Sequence, residues 1–228
     1  MADTRAVLIE AAADTLRESG LANASARRIA QRAGCNQALI FYHFGSVNDL
    51  LVAALEDVSV QRMAAYRGLV AHKESLSALA ESARVIFEED LDAGHLRILT
   101  EMISGAQSVP GLAERIAATL APWRAFAEDA VREVLASSPV PGLLPPEEAA
   151  HAVVAGILGL EMLASLDGDG GETGRAAALA LFDRARVLGD LIERLRPLVA
   201  LVDLSSLAGL SDKAPATDAK ETLCRLMS

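Results

Sequence analysis

Arg27 and Arg28 follow Ser25 by two and three residues, and Ser25 is a residue type that caps a helix N-terminus. That spacing puts two guanidinium groups in the first turn of a short helix, where the macrodipole disfavours cations and favours anions. A phosphate would resolve the conflict, because free amides at a helix start bind phosphate and arginines add charge-assisted hydrogen bonds. Asn36 and Gln37 carry amides that can pair bidentately with adenine, and Tyr42 with His43 supplies donors for phosphate oxygens. Each has a plainer reading: solvated surface arginines, a helix-capping Asn36, and a half-buried Tyr42 or His43 that only packs. A second chemistry is hinted at by Asp92-x-x-His95 and Glu148-x-x-His151, with Glu101 and Glu161 as further carboxylates. This spacing echoes helical di-iron bundles, and a helical metal-binding protein, or another helical protein that binds no DNA, is the alternative reading. It leaves the N-terminal pattern unexplained. P-loop, GxGxxG, HExxH and GxSxG motifs are absent, and neither a catalytic set nor a structural zinc cluster is present, so no cofactor, metal or enzymatic activity is expected.

The elements that would position these groups read as helices throughout. Ala, Leu, Arg and Glu dominate, period-2 alternation is absent, and Gly or Pro clusters cut the chain into helical lengths. Thr4 to Ser19 is an amphipathic helix ending at Gly20. Ser25 caps a short helix through Arg32, Ala33-Gly34 breaks it, and Asn36 caps another reaching Tyr42. Two short helices across a glycine turn outline a helix-turn-helix, with Leu8, Ala12, Leu16, Leu21, Ile29, Ala33, Ile40, Phe44 and Leu50 closing its core. Asn36, Gln37, Ala38, Leu39, Tyr42 and His43 include its outward positions. Ser46 caps a longer helix toward Leu69. Further helices are expected at 75–92, 95–105, 111–137, 146–166 and 173–196, with Pro122 kinking or splitting the third. Residues 137–146 and 167–171 read as loops, and 211–228 as a flexible tail.

Composition bounds the function. The 228 residues are 52% apolar and 23% charged, enough for a real core and against intrinsic disorder. A net charge of −10 repels nucleic acid and anionic lipid, so any nucleic-acid contact must be local. Residues 1–56 hold five arginines, no lysine and six acids, about neutral against a strongly acidic remainder. Cys35 and Cys224 form no disulfide framework and fit a reducing cytoplasm. The N-terminus lacks the apolar run of a secretory signal. The longest apolar stretch, Ala152 to Leu160, is far short of the ~18 residues a spanning helix needs. A cytoplasmic protein with no membrane partner is expected.

Ser25-Ala-Arg-Arg-Ile-Ala-Gln-Arg-Ala-Gly34, followed by Ile40-Phe-Tyr-His-Phe44 and Asp49-Leu-Leu51, resembles the DNA-binding domain of the TetR family of transcriptional regulators. The resemblance implies an all-α homodimer that binds double-stranded DNA at a palindromic operator, usually as a repressor, and is released when a small-molecule effector enters the C-terminal domain. It also implies that Ser25 and Arg27 contact DNA at the start of the second helix. Asn36, Gln37, Ala38 and Leu39 occupy the base-reading stretch, while Tyr42 and His43 hold phosphate. The family often carries a lysine shortly after the aromatic-His-Phe motif. Gly45-Ser-Val-Asn48 has none, which leaves Ser46 or Asn48 for a phosphate bond there. Cys35 stands where a small branched apolar residue is usual and is expected to be a buried hydrophobe.

Domain boundaries follow: 1–50 for the helix-turn-helix unit, 51–210 for effector binding and dimerisation, then the tail. A two-fold reader must hold its recognition helices about 34–36 Å apart, so the body must contain an interface. Its expected members are Ala152, Gly156, Gly159, Leu160 and Leu163 in one late helix and Phe182, Leu188 and Leu191 in the next. Met102, Trp123, Phe126 and Glu161 are the candidate effector contacts.

Overall fold

The computed structural model describes residues 3–71, 73, 75–106, 109–136, 145–164 and 172–199. Among these there are nine α-helices, one short 3-10 turn and no strand. The helices are α1 (Thr4–Ser19), α2 (Ala26–Arg32), α3 (Ala38–Phe44), α4 (Val47–Val70), α5 (Leu76–Asp92), α6 (His95–Ala106), α7 (Leu112–Ala136), α8 (Pro146–Ala164) and α9 (Glu172–Val199), with the 3-10 turn at Leu21–Asn23. Residues 137–144 of the loop expected at 137–146, the loop expected at 167–171, Cys224 and the expected tail lie outside the described residues.

Local chemistry accounts for most boundaries. Asp3, Ser25, Ser46 and Ser75 each accept a backbone N–H of the helix they precede, satisfying donors that a helix start leaves free. Pro146 opens α8, where its missing N–H costs nothing. Three expectations need correction. Helix α3 begins at Ala38 and continues to Phe44; Asn36 acts from one residue further out, its Oδ1 accepting the Ala38 N–H at 2.9 Å. Pro122 does not split α7, which is one continuous helix with Pro122 inside it. Pro122 lies on an exposed face, so the Ala118 carbonyl that loses its partner is left to water. Cys35 is half-buried against the core rather than fully enclosed.

One buried cluster runs through both sides of residue 50. Leu8, Ala12 and Leu16 of α1, Ile29 of α2, Ile40 of α3 and Leu50 of α4 are buried, with Leu21, Ala33 and Phe44 packed at their edge. Ile98 and Met102 of α6 and Leu112 and Ile116 of α7 belong to the same cluster, so the head is packed onto the body. A second cluster joins Phe87, Leu96 and Ala178 to Ile157, Leu158, Leu160, Leu179 and Phe182. Helix α9 lies close against the start of α5 because Gly189 has no side chain: a Cβ there would stand 2.4 Å from the backbone nitrogen of Ser77. No single described helix is long and apolar enough to cross a membrane. Only α3 and α4 taken together pass by length and composition, and they meet at a 66° bend.

Candidate functional site

The helix-turn-helix is built from α2, the turn through Gly34 (φ +64°) and α3. Ile29 and Ile40 pin its two helices inward, which turns the opposite faces out. Ser25, Arg27, Arg28, Asn36, Gln37 and Ala38 are exposed, Leu39 and His43 are half-buried, and Tyr42 is 81% exposed. The structure thus gathers the expected residues on one end of the molecule. The arginines of this unit divide sharply. Arg17 pairs with Asp14 and Arg32 with Glu18 and Asp14, whereas Arg27 and Arg28 join no ion pair among the described residues. The Ser25 Oγ accepts the Arg28 N–H at 3.4 Å, leaving its own hydroxyl proton available.

Ser46 differs from the expectation. Its hydroxyl accepts the Asp49 N–H at 3.1 Å and donates to the Asp49 carboxylate at 2.5 Å, so it is committed to capping α4. The Ser46 hydrogen bond and then Arg115, which reaches Asp49 at 2.5 Å, hold that carboxyl below its ordinary range. The Ser46 hydroxyl proton is thus spent on Asp49, while Asn48, the other residue expected to bond phosphate there, is exposed.

Two residues on this surface are absent from the sequence argument. Phe41 is 50% exposed and shares the outward face of α3 with Ala38, three residues before it, and Tyr42. The i, i+3 spacing from Ala38 was the available signal. Arg5 lies near the start of α1, exposed and unpaired, with its guanidinium 5.1 Å from the Phe44 ring centroid. Thirty-nine positions separate those two residues, and no local pattern announces the contact.

In the body, α4, α5, α6, α7 and α8 line a partly open cavity of about 130 Å³. Most of its wall is apolar, including Leu55, Phe87, Leu99, Leu120 and Ile157. Its polar groups are joined to one another. Asp90, 8% exposed, accepts through Oδ1 from Arg62 Nε at 2.9 Å and the Tyr66 hydroxyl at 2.7 Å, and pairs with His95 Nδ1 at 3.0 Å. Trp123 donates its indole N–H to Ser59 Oγ at 2.6 Å. Of the four expected effector contacts, Trp123 lines this cavity and Met102, Phe126 and Glu161 do not. Met102 is 1% exposed in the cluster joining head and body, and Phe126 packs on Trp123 with ring centroids 6.2 Å apart. Glu161 is half-buried on α8, and desolvation raises its pKa against the weaker opposing field of Arg97.

The residues of the metal-binding alternative are not brought together. Asp92 pairs with Arg175 and His95 with Asp90, Glu101 accepts the Leu21 N–H at 2.8 Å, and Glu148 and His151 are exposed on α8. Among the described residues no group of three or more His, Cys, Asp or Glu could hold a metal ion.

Helices α8 and α9 carry an apolar face on which no other described helix packs. Leu163, Leu188 and Leu191 are 63%, 52% and 49% exposed, beside Leu181, Val187 and Leu195. Ala152 and Gly156 are exposed and Gly159 half-buried. Leu160 and Phe182 pack inward, Phe182 on Phe87 with centroids 5.5 Å apart, so these two belong first to the chain's own core.

Residues 8–54 match the family model for bacterial regulatory proteins of the tetR family. An uncharacterized HTH-type transcriptional regulator of Mycobacterium tuberculosis is 29% identical over 154 residues, covering 67% of this chain and 76% of that protein. In fold, the chain is similar to the regulatory protein TetR from Rhodobacter sphaeroides, with a TM-score of 0.66 at 18% identity over 80% of this chain and 96% of that one. GusR of Salmonella enterica has a TM-score of 0.63 at 19% identity, over 82% and 95%. The exposed, capped helix-turn-helix is thus similar to the DNA-binding part of the tetR-family regulators, and it is carried on a helical body of similar fold.

Proposed function

We propose that the protein is a homodimeric repressor that binds a palindromic operator through two copies of α3 and leaves it when a small molecule occupies the body cavity. The observation that carries the DNA-binding surface is the contrast among the head's arginines: acids neutralise Arg17 and Arg32, while Arg27 and Arg28 stand free beside exposed Gln37 and Tyr42. In this reading Ser25, Arg27, Arg28, Tyr42 and His43 hold phosphates. Asn36, Gln37, Ala38 and Leu39 face base edges, and Phe41 adds apolar surface suited to a thymine methyl. The exposed face of α8 and α9 supplies the two-fold contact. The division into residues 1–50, 51–210 and 211–228 is by role, since the core crosses the first boundary.

Coupling between the halves is supported by α6 and α7. Helix α6 begins with His95 on the cavity wall, and its Glu101 accepts the Leu21 N–H at the foot of the head. Helix α7 carries Trp123 on the wall and Arg115, which pairs with Asp49 at the start of α4. A ligand that spreads the wall helices therefore pulls on both attachments of the head.

The test is fluorescence-anisotropy titration of the DNA flanking the protein's own gene, and of a duplex selected from random sequence, at two salt concentrations with unrelated duplex as competitor. Tight, competitor-resistant binding of two chains per palindrome, weakened by salt, is the expected result. Failure to select any sequence from the random pool would overturn the reading.

A further inference from the structure

The chemistry of the cavity wall is more specific than its volume. An apolar cavity of about 150 Å³ holds benzene, so about 130 Å³ suits a body of one ring or a branched chain of like size. The charges on the wall are already spent. Arg62 is shared between Asp90 and Glu89, through Nε at 2.9 Å and a terminal nitrogen at 3.2 Å, and its guanidinium lies 4.3 Å from the Tyr66 ring centroid. Asp90 receives Arg62, Tyr66 and His95 on a single oxygen. An anionic ligand would meet the Asp90 and Glu89 carboxylates beside the one guanidinium, and a cationic one would find Asp90 already neutralised by Arg62. Burying a charge without such a partner is costly.

The His95 ring offers a further polar atom. Asp90 Oδ1 already accepts from Arg62 and Tyr66, so it acts as an acceptor toward His95 as well and Nδ1 carries the hydrogen in that contact. In the neutral ring this makes Nε2 an acceptor, and Nε2 has no partner among the described residues. Ser59, also on the wall, accepts from Trp123 and keeps its own hydroxyl proton for a second acceptor.

Resting on the reading of this cavity as the effector site, we propose that it takes an uncharged ligand with a one-ring apolar body and a single hydroxyl or N–H group that donates to His95 Nε2. Alcohols and phenols fit the pair best, because one hydroxyl can donate to His95 and accept from Ser59.

Trp123 is the only tryptophan and lies on the wall, so its emission reports occupancy in the full-length protein. The probes are benzyl alcohol, toluene, benzoate and benzylammonium, matched in size and differing in charge and donor. Benzyl alcohol should saturate the Trp123 response at millimolar concentration, with toluene up to about tenfold weaker for want of one hydrogen bond. Benzoate and benzylammonium should be at least about a hundredfold weaker. His95→Phe should erase the preference for benzyl alcohol over toluene, and His95→Gln, which keeps an acceptor, should retain part of it. Melting curves of both variants check that they fold, and Val154→Phe should weaken every probe by filling the cavity. Equal or tighter binding of either charged probe, no saturable response to benzyl alcohol, or an unchanged preference in folded His95→Phe each overturns the proposal. Anisotropy on the selected duplex separates the two readings. If benzyl alcohol binds without loosening DNA, the ligand chemistry stands and the effector role falls. If only a charged probe both binds and releases DNA, the effector role stands and the ligand chemistry falls.

Discussion

Arg27 and Arg32 sit five residues apart on α2 and have opposite surroundings. Glu18 and Asp14 hold Arg32, with the Glu18 hydrogen bond raising its pKa, while Arg27 faces water without a carboxylate partner. Arg27→Ala should therefore weaken binding to every duplex alike and lower the slope of log K against log salt by about one. Circular dichroism and the melting temperature should stay those of the parent, and a parental slope would remove Arg27 from the surface. Glu161 makes a second prediction at this scale. Desolvation raises its folded pKa, so between the ordinary glutamate value and that raised value the folded state holds more protons than the unfolded one. Stability linked to this group is thus present at acid pH and lost as pH rises through that window. Glu161→Gln should raise the melting temperature at neutral pH and leave it unchanged near pH ~4, below the ordinary value. A constant difference at all pH values would contradict this.

Helices α5 and α9 touch where Gly189 meets the backbone of Ser77, and no rotamer change can make room against backbone. Gly189→Ala should destabilise the body by about 1–3 kcal/mol, measured by urea unfolding, even though alanine is the better helix former. An increase in stability would mean that the two helices separate at no cost. Helix α6 offers a complementary test, because its Glu101 holds the Leu21 N–H while its first residue lines the cavity. Glu101→Ala should leave ligand affinity and DNA affinity each within a few fold of the parent and reduce the effect of one on the other. That is read as the ratio of ligand affinities with and without the selected duplex.

The apolar face of α8 and α9 belongs to the molecule as a whole, since no described element of the same chain covers Leu163, Leu188 or Leu191. A charge placed at the centre of a self-complementary contact is repeated by symmetry, so Leu188→Glu or Leu191→Glu should convert dimer to monomer by sedimentation velocity. DNA affinity should then fall by more than a factor of ten, because two half-sites no longer bind together. A monomeric parent would overturn the homodimer and leave this face without a role.

What the sequence determined by itself was local. Helix starts at Ser25, Ser46 and Ser75, the glycine turn at Gly34 and the buried faces through Leu8, Ile29 and Ile40 follow from capping chemistry and periodicity, which neighbours a few residues apart decide. The same locality made most of the candidate nucleic-acid surface legible, since α2, its turn and α3 lie within twenty residues. Contacts between distant residues were decided only by tertiary structure. Periodicity marks Met102, Trp123 and Phe126 alike as apolar positions, and only the packing of five helices puts Trp123 on the cavity wall and Met102 in the joint below the head. The network of Arg62, Tyr66, Asp90 and His95 joins α4, α5 and α6, and the ion pair of Arg115 with Asp49 spans 66 positions. Such side chains meet because helices cross in space, and a helical period describes one helix at a time.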